Sequence, residues 1–216
     1  AAMLAAYDFE PGDIIHLDTG TYILPQNLLL TLQDSGVTLK GPATGTGAVI
    51  NRNESSTGRA LELSGITSLT LENLNITGAY QGLYAGSANT GLNLTVRGGK
   101  FYNNRYAGIQ TDAGAVVTVE GAEFYGTAGG TGAANQAYGL SITAAQSTVS
   151  GSSFHHLSQY GIAIASQNGL VTGNTLSNLP SGIYFGSKGT VSGNTISDFT
   201  SNGIYSNGSA TLYTGN

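Results

Sequence analysis

The residues best equipped for chemistry in this 216-residue chain are the adjacent pair His155 and His156, the arginine-tyrosine pair Arg105 and Tyr106, and the carboxylates Asp112, Glu120 and Glu123. Imidazole serves as a general base near neutral pH or as a metal ligand. Arg105 suits the neutralisation of a substrate carboxylate, with Tyr106 or His155 as the base, and these three are the catalytic candidates. Glu120 and Glu123 would serve glycoside hydrolysis only if they faced each other across a groove roughly 5 to 9.5 Å wide. Adjacent residues of a strand point to opposite faces, so His155 and His156 are not expected to share an ion. His16 is remote in sequence, and no metal site is expected. Asp112 could join Glu120 and Glu123 as an oxygen ligand for calcium, but the three lack Asp-x-Asp spacing, so the expectation is no cofactor, with calcium as the alternative.

A repeat positions these side chains. A glycine followed by an aliphatic residue recurs at Gly82, Gly108, Gly139, Gly161, Gly182 and Gly203, at intervals of 26, 31, 22, 21 and 21 residues. A second anchor recurs at Val96, Val119, Val149, Val171 and Val191, each followed two residues later by glycine and five residues later by Phe101, Phe124, Phe154, Leu176 or Ile196. Leu157, Leu179 and Phe199 add an apolar residue eight positions after the anchor. A period near 22 built of short strand-like segments, without helical spacing, predicts an all-β solenoid of about 21 to 22 residues per coil. Equivalent residues then stack about 4.8 Å apart, valine on valine and phenylalanine on phenylalanine. The glycines are expected to relieve corners with positive φ. Asn174 and Asn194 are expected to form an amide ladder.

In that register Tyr102, Tyr125 and His155 form one outward column, with Arg105, Tyr106, Tyr138, His156 and Tyr160 beside it. The chain has 12 tyrosines and no tryptophan. Tyrosine offers an apolar ring and a hydroxyl, so Tyr102, Tyr125, Tyr138, His155 and Tyr160 are the candidate ligand-binding residues, suited to an extended glycan. Stacked tyrosines also stabilise parallel coils, by ~0.2–1 kcal/mol per pair. A further column, Tyr84, Tyr184 and Tyr205, is interrupted by Gln110, Ser141 and Ala163 and reads as structural. Two segments exceed the minimal coil, Ala85 to Asn93 and the glycine-rich Gly126 to Gln136, and insertions of this kind carry binding in solenoids.

The units VTGNTLSNLPSGIYF and VSGNTISDFTSNGIYS, and the opening EPGDIIHLDTGTYI followed by SGVTLKG, resemble the right-handed pectin-lyase-like superfamily. The resemblance implies a right-handed parallel β-helix whose first coil is capped by a short amphipathic helix, with Ala1 to Tyr7 as the end of that helix. It implies fold more than activity, because such scaffolds serve lyases, hydrolases, epimerases, adhesins and stalks. The Asn-Thr-Asp and Gly-His-Gly signatures of polygalacturonases and the Asp-Pro-His-Asp of alginate epimerases are missing, and the tryptophan signatures of pectate lyases have no tryptophan to form them.

Composition narrows the rest. With 33 glycines, 9% charged residues and a net charge of −5, the chain is neither disordered nor a coiled coil, and seven basic residues make a poor nucleic-acid surface. No apolar run is long enough for a membrane-spanning helix, and the absence of cysteine excludes disulfides and thiolate metal sites. The expectation is one β-helix domain over 1–216, with residues 1–35 as cap and first coil and 36–216 as repeated coils. Tyr213 to Asn216 matches the start of a coil, so the C-terminal end is expected to be open and continued by further coils, a further domain or a partner. Functionally, the sequence favours a secreted or cell-surface module, adhesin-like, that binds glycans or partner proteins through its tyrosine-rich face. A polysaccharide lyase, epimerase or hydrolase is the alternative, and a structural stalk or filament subunit the second.

Overall fold

The computed structural model describes residues 9–129, 135–186, 188–208 and 211–216; the expected helix end at Ala1 to Tyr7 lies outside them. Among the described residues twenty strands, all paired in parallel, wind into a β-solenoid of about eight turns, and the 3-10 turn Leu32–Asp34 is the one helical element. Every coil contributes up to three short strands, so the molecule has three sheet sides around a single apolar interior.

The interior is a set of vertical columns set by the period. On the first side Ile15, Leu39, Leu71, Val96, Val119, Val149, Val171 and Val191 are successive neighbours. The second side stacks Ile50, Ile76, Phe101, Phe124, Phe154 and Leu176. The third stacks Leu61, Leu83, Ile109, Leu140, Ile162 and Ile183. All of these from Leu39 onward are essentially inaccessible to water, and each fully buried side chain of this size contributes about 1.5–3 kcal/mol. The valine and phenylalanine columns are those expected from the sequence, and they extend further toward the N-terminus, through Leu71, Leu39 and Ile15 on one side and Ile76 and Ile50 on the other.

The two glycine sets do different work. Gly98, Gly121, Gly151, Gly173 and Gly193 have φ between 56° and 64° and turn the corners as expected. The Gly-aliphatic set does not adopt positive φ. At Gly139 a Cβ would lie 2.5 Å from the carbonyl oxygen of Gly161 and 2.5 Å from the Phe154 ring, so this column is glycine because adjacent coils and the phenylalanine stack approach too closely for a side chain. The corner that follows Gly173 and Gly193 carries the amide ladder: Asn174 Nδ2 donates to Asn194 Oδ1 at 2.9 Å, and Asn194 Nδ2 to Asn216 Oδ1 at 2.8 Å. Each amide also donates to a valine carbonyl of the preceding coil.

Candidate functional site

Strands Lys100–Tyr102, Glu123–Tyr125 and Ser153–His155 alternate outward, inward, outward. Their outward ends make the expected column. Tyr102 stacks on Tyr125 at 5.1 Å and Tyr125 on His155 at 5.0 Å, with planes within 7°. Two positions back along the strands, Lys100 pairs with Glu123 at 2.8 Å, and His155 Nε2–H donates to Glu123 Oε1 at 3.0 Å. Partial burial pushes the Glu123 carboxyl up, but the hydrogen bonds from Lys100 and His155 outweigh it and hold the group below its ordinary value. The same hydrogen bond to Glu123 holds the Lys100 ammonium above its usual range, and burial raises the Tyr125 phenol. The loop at 42–47 walls an open groove of about 540 Å³ against Tyr102, Tyr125 and Lys100.

His156 departs from the expectation that adjacent histidines diverge. It sits just past its strand with φ 55°, at the corner position that Gly78, Asn103, Asn178 and Asp198 occupy in other coils with the same backbone. The left-handed turn swings its ring back, so that its Nδ1 lies 2.8 Å from Nδ1 of His155 with the rings perpendicular.

A second aromatic file climbs a different side. Tyr80, Tyr106, Tyr138, Tyr160, Tyr184 and Tyr205 are in successive contact, with ring centroids 5.3 to 6.0 Å apart. Reading single columns missed this file, and Tyr80 altogether, because its members occupy three positions relative to the repeat glycine. Tyr80 and Tyr106 precede it by two residues, Tyr138 and Tyr160 by one, and Tyr184 and Tyr205 follow it by two. Within such a file most ring faces are covered by the next ring, leaving edges and hydroxyls outward. The exception lies where the Tyr84 column is interrupted. Tyr184 stands above Ala163, which stands above Ser141, so no ring of its own column lies beneath it, and Tyr160 meets it edge-on rather than stacked, at 6.0 Å and 66°. The result is a hollow of about 290 Å³ lined by Tyr138, Tyr160, Tyr184, Ser141, Thr143 and Ala163 among others. Burial raises the Tyr138 phenol at its edge.

The catalytic candidates separate. Arg105 and Tyr106 lie at the base of the tyrosine file, where Arg105 lines a groove of about 480 Å³ with Ser56, Thr57, Arg59, Tyr80 and Gln81. His155 belongs to the Tyr102 side, and neither it nor Tyr106 lines the groove that Arg105 lines. Glu120 is engaged by Arg97 at 3.3 Å within a ladder of alternating charge, Lys40, Glu72, Arg97 and Glu120. These exposed pairs are worth about 0–1 kcal/mol each. Asp112 accepts hydrogen bonds from Tyr84 at 2.8 Å and Gln110 at 2.7 Å, and that bond raises the Tyr84 phenol. Arg59 pairs with Glu62 and lies 3.9 Å over the Tyr84 ring. Among the described residues no three His, Asp or Glu gather as a metal site.

The two expansions differ. Ala85 to Asn93 is anchored inward at two points while Ser87, Ala88, Thr90 and Gly91 stay exposed: Leu92 is fully buried, and buried Asn89 donates to the carbonyls of Leu63 and Gly86. In the Gly126 to Gln136 insertion, residues 130–134 lie outside the described residues. Its C-terminal end is pinned, Asn135 Nδ2 donating to the His156 carbonyl at 2.8 Å and Gln136 Oε1 accepting from the Asn104 N–H at 3.0 Å.

Residues 131–216 match the protein-family model described as a right handed beta helix region. No curated protein and no solved structure matches the chain. The family match over the C-terminal coils and the solenoid wound by the described chain agree: this is a right-handed parallel β-helix, consistent with the pectin-lyase-like superfamily that its repeats resemble.

Proposed function

We propose that this β-helix is a secreted or cell-surface module that binds a glycan on its tyrosine side. The observation that carries the reading is the hollow beneath Tyr184. A sugar ring needs an uncovered aromatic face and nearby hydroxyls, and a fully stacked ladder withholds its faces. Ser141 and Ala163 leave Tyr184 without a stacked ring of its own column, with only the edge contact of Tyr160 on that side, at a volume near the lower end of small-molecule sites. Tyr138 and Tyr160 flank it with phenolic hydroxyls, and Ser141 and Thr143 add two more. The low charge and the abundance of Ser, Thr and Asn in the chain support a polar, extracellular role. The groove that Arg105 lines includes neither Tyr106 nor His155, which favours the binding reading over the lyase or epimerase one.

The test is a glycan array followed by calorimetry on any ligand found. Tyr184→Ala is expected to weaken binding at least tenfold, and Ala163→Tyr, which continues the ladder into the hollow, to abolish binding without loss of thermal stability. Tyr125→Ala, on another side, should bind as the parent does. An array without a ligand, or unchanged binding by Ala163→Tyr, overturns the reading and leaves the structural stalk as the better one.

A further inference from the structure

His155 and His156 present a geometry that the tyrosine side does not use. The carboxylate of Glu123 is held ionised by Lys100 and receives the Nε2–H of His155. That places the proton of a neutral His155 on Nε2 and leaves its Nδ1 as a bare lone pair. A carboxylate that orients a histidine through the ring's other nitrogen is the arrangement found behind metal-ligating histidines. The second Nδ1, from His156, arrives 2.8 Å away. It is brought there by a left-handed backbone that the equivalent corners adopt with glycine, asparagine or aspartate.

We propose that the Nδ1 atoms of His155 and His156 form a two-nitrogen site for a divalent transition-metal ion of tetragonal preference, Cu(II) foremost and Ni(II) next, with Glu123 as the positioning carboxylate. The distance selects the geometry. Two metal–nitrogen bonds of about 2.0 Å place their nitrogens about 2.8 Å apart at a 90° angle, and about 3.3 Å apart at the tetrahedral angle. That separation is the hydrogen-bond length of the metal-free pair, and it needs no opening to serve adjacent ligands of a square-planar or octahedral ion, the preference of Cu(II) and Ni(II), whereas a tetrahedral Zn(II) requires the rings to part. Without metal the same pair is held by one proton, donated from Nδ1 of His156 to Nδ1 of His155; when the ion binds, that proton moves through solvent to Nε2 of His156, so both rings ligate as neutral imidazoles. Both rings are partly accessible to solvent. Since no third His, Asp or Glu joins the pair among the described residues, water completes the coordination. The site lies on the side that carries Tyr102 and Tyr125, apart from the hollow under Tyr184, and it stands or falls independently of the glycan reading.

The experiment is a titration of the whole chain with Cu(II), Ni(II) and Zn(II) at constant pH, with paramagnetic resonance of the Cu(II) form. One equivalent of Cu(II) is expected, bound more tightly than Ni(II) or Zn(II), with a tetragonal spectrum split by two imidazole nitrogens. His156→Asn keeps the fold, because Asn103 and Asn178 hold the same corner, and is expected to lose at least tenfold in affinity and one nitrogen from the spectrum. Glu123→Gln should weaken binding by on the order of tenfold while keeping two nitrogens. His16→Ala should bind as the parent does. Unsaturable binding, a parent spectrum with a single imidazole, or unchanged affinity in His156→Asn would each reduce the pair to a histidine–histidine hydrogen bond and overturn the proposal.

Discussion

The inside and the outside of the same three strands carry nearly identical aromatic stacks. Phe101, Phe124 and Phe154 lie 5.0 and 4.9 Å apart with planes within 13°, and one residue further along Tyr102, Tyr125 and His155 lie 5.1 and 5.0 Å apart with planes within 7°. The spacing of both is imposed by the rise between hydrogen-bonded coils, so stacking geometry by itself says nothing about what a ring contributes. What differs is the neighbourhood. The phenylalanines are enclosed on every side, whereas the outer rings share their surface with Lys100, Glu123 and His156 and keep a polar atom toward water. The inner file holds the coils together, and the outer one presents chemistry at a fixed pitch.

Truncating one ring in each file separates these roles. Phe124→Ala opens a cavity in a closed stack and is expected to cost about 3–5 kcal/mol, read as a lowered denaturant midpoint with unchanged slope. A near-neutral midpoint would break the comparison at its base. Tyr125→Ala removes two ring contacts at a partly open surface and is expected to cost about 1–2 kcal/mol; a loss equal to that of Phe124→Ala would mean that the two faces are energetically alike.

Acid sharpens the contrast further. Glu54, Glu72 and Glu123 face outward and are held below the ordinary carboxyl value. Hydrogen bonds from the Ser56 side chain and backbone bring Glu54 from 4.5 to about 2, and a hydrogen bond from Lys40 lowers Glu72. Groups depressed in the folded state stabilise it fully above their unfolded value, and that stabilisation is lost as pH falls through the folded one. The melting temperature is therefore expected to fall between about pH 5 and pH 2. Glu54→Gln should make that decline shallower, while the deficit of Phe124→Ala stays constant across the same range. A decline that Glu54→Gln leaves unaltered would remove Glu54 from the account.

How far the sequence revealed the molecule follows from the same distinction. Columns of one residue type at one repeat position, such as Val119 on Val149 or Asn174 on Asn194, were legible because stacking in a solenoid follows the period directly. The Gly139 column was legible as a column but not in its cause, since a close approach between coils leaves the same mark in sequence as a left-handed corner. The tyrosine file escaped a column-by-column reading because Tyr106, Tyr138 and Tyr184 reach one another from different backbone positions. His156 was misread because its strand ends one residue earlier than alternation assumed; Asn103, Asn178 and Asp198 at the equivalent corner were the available signal. The hollow under Tyr184 was present in the sequence as an interruption by Ser141 and Ala163, and only the third dimension gives an interruption a shape.

The register between coils also governs how the chain assembles. Leu28 pairs with Leu61 and Val171 with Val191, 33 and 20 positions apart, and the separation does not grow as more coils are added. Most β-rich folds must close long loops before their strands are rewarded, which slows them. Here, among the described residues, no strand pairing reaches further than the adjoining turn, so ordering can begin on any pair of coils and spread in both directions. The phenylalanine-rich middle, where the interior is most completely filled, is the natural place for it to begin.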